Sequence, residues 1–270
     1  MMNYWLLVVI TSGYATCKVF KFSLIKKSMK KAIIIGATSG LGLEVAKQLL
    51  AAGWQLGIAG RREAELLSFQ QQSPETIAIQ SLDVTHDDAP EKLEQLIAKV
   101  GGMDLFFLAS GVGLQNPDLH LAKELQIVET NVVGFTRMVT TAYHFFGQQG
   151  FGHLAVISSV AGTRGIGASA SYSSSKCFQS TYIDSLEQLA HIQKLNIHFT
   201  DIRPGFVETA ILSSEKKYPL LMTVEYAGKG IVKALERKKR VAIIDWRYAV
   251  LVFFMRTIPR CIWKRLPIKN

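Results

Sequence analysis

Tyr172 and Lys176 stand four residues apart in the stretch 158–176, SSVAGTRGIGASASYSSSK. On a helix that spacing brings two side chains onto one face, with Cβ atoms about 5–6 Å apart. An ammonium held beside a phenol favours the phenolate and lowers its pKa from the reference value near ~10. A tyrosine tuned in this way can pass a proton to or from an alcohol oxygen. Ser159 lies thirteen residues before the tyrosine, after the apolar run 154–157, which reads as a buried strand. Its hydroxyl is then expected beside the phenol, holding the same substrate oxygen. Tyr-x-x-x-Lys by itself is a common helical coincidence, so the elements that position it decide its meaning.

Those elements begin with a short apolar run, 32–35, followed at once by Gly36-Ala37-Thr38-Ser39-Gly40-Leu41-Gly42. Next comes LEVAKQLLAAG, apolar at helical spacing and closed by Gly53. Strand, glycine loop and helix open a dinucleotide-binding unit. The glycines let backbone approach a pyrophosphate, and the helix N-terminus offers free N–H groups and positive dipole. The spacing is Gly-x-x-x-Gly-x-Gly, not the commoner Gly-x-Gly-x-x-Gly, so a plain glycine-rich turn is the alternative. A second strand, 55–59, runs into Gly60, Arg61 and Arg62. An acid at that tip would hold the adenosine ribose hydroxyls, whereas two arginines suit the extra 2′-phosphate of NADP. Otherwise the pair simply opens a solvated helix, REAELLSFQQQ.

Residues 77–82 read as a third strand, with Asp83 and Val84 at its end placed to meet the adenine. A helix over 88–100 leads to a fourth strand, 104–109, which ends in Ser110 and Gly111. Asn131 lies in a long helical region, 124–146. An Asn within an apolar helix face ordinarily bonds its own backbone; a helix loosened there would free main chain to hold a water beside Lys176. The fifth strand ends at Ser158 and Ser159, and the Tyr172 helix runs to about residue 194. A sixth strand, 196–202, turns at Arg203-Pro204-Gly205, and Val207 and Thr209 follow where a cofactor amide could be reached. Residues 211–222 lack strong periodicity and read as a mobile loop shaping the pocket, with Leu212, Tyr218, Leu220, Leu221 and Met222 as an apolar lid. A helix over 224–236 and a seventh strand over 241–244 complete the pattern. Strands alternating with helices predict an α/β fold, a Rossmann-type doubly wound parallel sheet of about seven strands flanked by helices. Its site lies at the strand C-termini.

Charge divides the chain of 270 residues. Residues 1–28 hold four lysines and no acid, and residues 229–270 hold twelve Lys or Arg against two acids. The middle, 29–228, has fifteen bases against nineteen acids, so the net +10 belongs to the ends. A nucleic-acid binder would put the basic face on the fold itself, and nucleic acid is not expected as a partner. Cationic ends joined to apolar runs point instead to an anionic membrane surface. Cys17, Cys177 and Cys261 have neither disulfide nor metal spacing and read as reduced thiols of a cytoplasmic protein, without a metal site. The division expected is an N-terminal extension (1–28), a catalytic domain (29–245) and a basic amphipathic C-terminal segment (246–270). The opening 16 residues are uncharged and shorter than the ~20 that cross a bilayer, and their lysines follow the apolar run where a secretory signal has them before it. They read as a dispensable extension, with a membrane-associating segment and a signal as alternatives.

Taken together, these motifs make the stretch 31–244 similar to the short-chain dehydrogenase/reductases, in their short single-domain form. The resemblance is carried by Gly36/Gly40/Gly42, Asp83-Val84, Asn131 in NVVG, Ser159 in ISSVAG, Tyr172-x-x-x-Lys176, and Arg203-Pro204-Gly205 with Thr209. It implies a tetrad of Asn131, Ser159, Tyr172 and Lys176. It also implies a nicotinamide cofactor, here NADP(H) in preference to NAD(H), and hydride transfer between a carbonyl and a secondary alcohol. On that pattern Lys176 also contacts the nicotinamide ribose, and Asn131 sustains a water-linked proton path. Two departures stand out: Ile35 replaces the usual threonine, and Leu108-Ala109-Ser110-Gly111 replaces Asn-Asn-Ala-Gly. Ala109 removes a side-chain bond that helps pin the central strands. Homo-oligomers are usual in such proteins. A cofactor-binding sensor or scaffold without turnover, and a membrane-surface adaptor with a vestigial site, are the rival readings.

The tail 246–266, WRYAVLVFFMRTIPRCIWKRL, is apolar from Tyr248 to Met255 and then carries Arg256, Arg260, Lys264 and Arg265. The first three cations recur every four residues and would line one side of a helix. Trp246 and Trp263 flank it as rings flank an interface, while Pro259 is expected to kink or interrupt it. A final helix packed on its own domain or on a second copy is the plain reading. An interfacial helix docking on anionic lipid, with access to a lipid-like substrate, is the sharper one.

Overall fold

The computed structural model describes residues 29–209 and 218–268. The expected extension 1–28, and Leu212 with most of the expected pocket loop, lie outside them. β1 (Lys31–Ile35) is KAIII, buried from Ala32 onward. An unbroken apolar run of this kind suits a central parallel strand, whose two faces are both covered. Ile34 enters the core on one face of the sheet, and Ile33 and Ile35 enter the core on the other, as the period of two requires.

Six more strands complete a single sheet: β2 (Gln55–Gly60), β3 (Ile77–Ser81), β4 (Leu105–Leu108), β5 (Phe151–Ile157), β6 (Asn196–Arg203) and β7 (Val241–Ile243). Their order is β3-β2-β1-β4-β5-β6-β7, and every pairing is parallel. This is the expected doubly wound sheet. The chain steps outward from β1 to β3 and then returns to lay β4 on the other side of β1. That reversal opens a crevice at the carboxyl ends of the strands, where such folds bind ligands. Ile35 pairs with both Ala59 and Leu108, so the three strands bordering the crevice finish level.

Helices cover both faces. On one, α1 (Gly40–Ala51) and α7 (Val224–Glu236) pack Val45, Leu49, Ile231 and Leu235 against Ile34, Ile58 and Ile202. On the other, α3 (Ala89–Val100), α5 (Phe135–Gln149) and α6 (Ala170–Ile192) bring Leu93, Met138, Phe146 and Ile183 to Ile33, Phe106 and Val156. A short α2 (Glu63–Gln70) joins β2 to β3.

Two expected helices are divided. The region around Asn131 consists of α4 (Leu121–Val128), a π-helical turn over Glu129–Gly134, and α5. A π-turn widens the helix by one residue and is common at functional sites; the helix is thus loosened at Asn131, the alternative to an Asn that only bonds its own backbone. The tail divides into α8 (Trp246–Thr257) and α9 (Arg260–Trp263), with Ile258 extended and Pro259 starting the second piece. Pro259 lacks the N–H that a continuous helix needs. Arg256, Arg260 and Lys264 therefore do not share one helix, contrary to the expected stripe. Trp263 also has partners within the fold: its indole N–H donates to the Gly165 carbonyl (2.9 Å), and Arg164 lies 5.4 Å from its ring centre. Tyr248, Val252 and Met255 of α8 are buried, so this helix packs on its own domain.

Candidate active site

The crevice floor is the loop between β1 and α1. Gly36 has φ +89°, and a Cβ there would sit 2.6 Å from the Ser110 backbone nitrogen. The loop thus meets the end of β4 at a contact that only glycine allows. Gly42 is constrained differently: its Cβ would lie 2.2 Å from the Gly36 carbonyl, so α1 seats directly on the loop. Ser39 is the extended N-cap residue of α1 and makes no side-chain capping bond. The first N–H groups of a twelve-residue helix therefore point at the crevice without a side-chain partner. Thr38 accepts from Arg62 Nε (3.3 Å) and Nη2 (3.0 Å), which draws that guanidinium over the loop. Arg61 leans the other way, 3.9 Å from Asp83, with its side chain 69% exposed. Leu41 and Gly40 complete the loop, Gly40 against the methyl of Thr209.

Not every expected contact residue is free to reach a ligand. Asp83 accepts from the Thr85 N–H (3.0 Å) and hydroxyl (2.9 Å). Burial pulls its carboxyl up, but those bonds and Arg61 outweigh it and hold the pKa below the usual range. The Val84 side chain is core, lodged against Gly134 of the π-turn. Gly205 is covered by Tyr248, whose ring would lie 2.0 Å from an added Cβ. Packing against the C-terminal helix therefore explains that glycine. Val207 pairs with Met222 in an isolated parallel bridge, and the Pro204 carbonyl accepts from the Val160 N–H (3.1 Å).

Across the crevice, β5 delivers Ser158 and Ser159, and α6 delivers Tyr172 and Lys176. The Ser159 hydroxyl caps the turn that follows, accepting from Ala161 N–H (3.1 Å) and donating to the Pro204 carbonyl (3.4 Å), and it lies beside the Tyr172 phenol. Burial pushes the phenol pKa up, and the neighbouring Ser159 hydroxyl opposes that shift. Lys176 is 4% exposed; its Nζ donates to the Ile157 carbonyl (2.9 Å) and to Gln179 Oε1 (3.0 Å) and lies 5.8 Å from the Tyr172 ring centre. Burial pushes the ammonium down to about 8, while the Asp201 carboxylate pulls it up. The expected lowering of the phenol by the ammonium is thus absent from this arrangement. The phenol is desolvated, and the ammonium is turned to two carbonyl acceptors.

Asn131 joins three segments. Its amide donates to the Val112 carbonyl (2.8 Å) and to Ser175 Oγ (3.1 Å), and its Oδ1 accepts from the Val112 N–H (2.9 Å). The chain after β4, with Ser110 and Gly111, is thereby fastened to the π-turn and to α6. An added Cβ on Gly111 would stand 3.5 Å from Lys176 Nζ, so the ammonium borders that chain directly.

Residues 30–219 match the family model described as short chain dehydrogenase. The chain belongs to the short-chain dehydrogenase/reductases. An uncharacterised oxidoreductase of Mycobacterium tuberculosis is 32% identical over 248 residues, covering 87% of this chain and 96% of that one. A short-chain dehydrogenase/reductase from Burkholderia phymatum in complex with NAD superposes with a TM-score of 0.76 at 17% identity, covering 90% of this chain and 97% of the other. A short-chain dehydrogenase from Burkholderia cenocepacia in complex with NADP gives the same TM-score and identity, covering 89% and 98%. The glycine cradle of this dehydrogenase admits no Cβ at Gly36 or Gly42, and the α1 N-terminus lacks a side-chain cap, features that suit the phosphates of a dinucleotide.

Sequence reasoning passed over three groups around the dehydrogenase site. Gln179 is 1% exposed and bonds both Lys176 and the Asn131 main chain; its place three residues after Lys176, on the same helix face, was the available signal. Asp201 is fully buried, bound by the Ser158 hydroxyl and by Arg203 (Nε, 2.7 Å; Nη2, 2.6 Å). A carboxylate near the end of a strand, two residues before Arg203, pointed to it. Glu124 accepts from Asn116 Nδ2 (2.7 Å) and from the Ser171 N–H (3.2 Å) and hydroxyl, which fixes the start of α6 next to Tyr172. Only the fold reveals that pairing.

Proposed function

We propose that this dehydrogenase is an NADP(H)-dependent oxidoreductase that interconverts a carbonyl and a secondary alcohol, with Tyr172 as the proton-transferring group. The observation that carries this reading is the placement of the Ser159 hydroxyl beside the Tyr172 phenol, with Lys176 one turn further along α6. When bound, the reduced nicotinamide supplies a hydride to the carbonyl carbon. Ser159 holds the carbonyl oxygen, and Tyr172 gives that oxygen its proton. The phenol carries its proton at neutral pH, as donation to the carbonyl oxygen requires. Lys176 meets the ribose, and Asn131 holds the adjoining main chain in register. Arg61 and Arg62 take the 2′-phosphate of NADP, supported by the reach of Arg62 over the loop at Thr38 and by the absence of an acid at the tip of β2.

An apolar, lipid-like carbonyl is the proposed substrate class. Leu220 and Leu221 stand exposed beside the crevice-bordering chain, and α8 presents Trp246 (73% exposed), Phe253 (63%) and Phe254 (57%) to solvent. Together with the cations of the tail, these rings suit peripheral contact with anionic lipid on the cytoplasmic face. Among the described residues no helix is long and apolar enough to cross a membrane. Pairing of two copies is proposed through α5 and α6. A groove of about 1010 Å³ between α3 and α5 is lined by Pro90, Ile97, Val132, Val133, Thr140 and Phe145, and on α6 the rings of Phe178 and Tyr182 are stacked (5.5 Å). The reading is tested by screening ketones, 3-oxoacyl thioesters and steroids with NADPH and NADH. Turnover of an apolar carbonyl with NADPH is expected; cofactor binding without turnover across the panel favours a sensor or scaffold.

A further inference from the structure

The main-chain carbonyl of Asn131, expected to hold a water beside Lys176, is already engaged. Gln179 Nε2 donates to it (2.9 Å), and Gln179 Oε1 accepts from Lys176 Nζ (3.0 Å). One amide therefore spans the gap from the ammonium to the π-turn, inside a region from which solvent is shut out: Lys176 and Gln179 are 4% and 1% exposed and Asn131 is fully buried. The match is chemical as well as steric. An ammonium offers only donors and a carbonyl only acceptors, so whatever joins them must present an acceptor to one and a donor to the other. Water can do this, and so can a carboxamide. The two differ in that an amide keeps its N–H protons and has a fixed geometry set by its side chain.

We propose that Gln179 is a positioning residue that replaces solvent in the link between Lys176 and Asn131, holding the ammonium in place and charged. The inference rests on the carbonyl–alcohol reading for the role of Lys176, but the link itself is a property of the free protein. The groups that face Lys176 are few. Tyr172 lies one turn back on α6. From β6 comes the Asp201 carboxylate, itself bound by Arg203 and Ser158. Gly111, Asn131 and the Ile157 carbonyl, on its other sides, do not titrate. Burial already pushes the ammonium down to about 8, below the raised phenol, so rising pH discharges Lys176 before Tyr172. Loss of the Gln179 acceptor lowers the Lys176 pKa further, by about one unit. The high-pH limb of kcat/KM, which reports the free enzyme, then moves down with it.

Gln179→Met keeps the length of the side chain and removes both bonds, whereas Gln179→Ala leaves room for solvent to bridge the gap. In the full-length protein labelled with [ε-13C]lysine, the Lys176 resonance is assigned by Lys176→Arg and titrated by NMR. Alongside it, the pH profile of carbonyl reduction is measured with NADPH. Gln179→Met is expected to lower both the Lys176 titration and the high-pH limb by about one unit. Gln179→Ala is expected to leave both close to wild type. A packing role alone predicts the reverse ranking, because the alanine opens a cavity and the methionine fills it. Superimposable titrations for Gln179→Met and the wild type overturn the proposal. Should that variant not fold, Gln179→Glu decides: a carboxylate against the ammonium raises its pKa, and an unmoved titration refutes the link. If the wild type reduces no carbonyl, the NMR titration still judges Gln179 while the functional reading falls on its own.

Discussion

Removal of a single hydroxyl tests how the C-terminal helix serves the site. Tyr248, 2% exposed on α8, accepts from the Phe206 N–H (2.9 Å) and donates to the carbonyl of Pro219 or Leu220 (both 3.1 Å). Its ring closes over Gly205. Tyr248→Phe keeps the ring and its packing but strands the Phe206 N–H and releases both carbonyls. A lost hydrogen bond that leaves a buried donor unpaired costs about 1–3 kcal/mol. For a domain of this size each kcal/mol lowers Tm by roughly 2–4 °C, so a fall of about 2–12 °C is expected by calorimetry on the full chain. Phe206 leads into the segment that pairs with Met222, and residues 219–220 belong to the expected pocket loop. The KM for the carbonyl is therefore expected to rise more than kcat falls. A Tm within about 1 °C of wild type, with both constants unchanged, would falsify the assignment of this hydroxyl as the pin between α8 and the chain after β6.

Arg62→Ala removes the guanidinium that reaches Thr38; it is expected to weaken NADPH by roughly 10- to 150-fold, the worth of a charge-assisted contact, and to change NADH little. Arg61→Ala, directed at an exposed side chain nearer Asp83, is expected to act in the same sense, and equal losses for the two cofactors from both variants would remove the basis for NADP preference. Membrane contact is best tested by the double substitution Phe253→Ser and Phe254→Ser on the exposed side of α8. A chain cut at Asp245 would lose buried Tyr248, Val252 and Met255 and so confound binding with unfolding. Full-length protein should co-sediment with anionic but not neutral vesicles at low salt and lose this on the double substitution. Protein that stays in the supernatant with anionic vesicles rules the contact out.

Much of the sheet was legible because buried parallel strands are short, apolar and bounded by glycine or polar turns. The β1–loop–α1 unit and the sixth strand followed from local pattern alone, to within a residue or two. What local pattern cannot give is how distant residues share a partner. The spacing of Tyr172 and Lys176 places them on one helix face but does not say which carbonyls claim the ammonium. Ile157 and Gln179 do so, and the expected effect on the phenol goes with them. Arg203-Pro204-Gly205 was legible as a turn, yet its glycine is required by Tyr248, forty-three residues later. The same limit applies to the tail. Cations every four residues predict a stripe only while the helix continues, and Pro259 ends it.

The most direct measurement is the NADPH oxidation that accompanies carbonyl reduction, in the wild type and in Tyr172→Phe. The substitution keeps the ring on α6 and removes the hydroxyl that stands beside Ser159. If Tyr172 donates the proton, kcat/KM for the carbonyl falls by about 10²–10⁴-fold, the usual contribution of a positioned acid, while the NADPH affinity measured by fluorescence titration stays near that of the wild type. Turnover that survives within about threefold, with cofactor binding intact, contradicts Tyr172 as the acid.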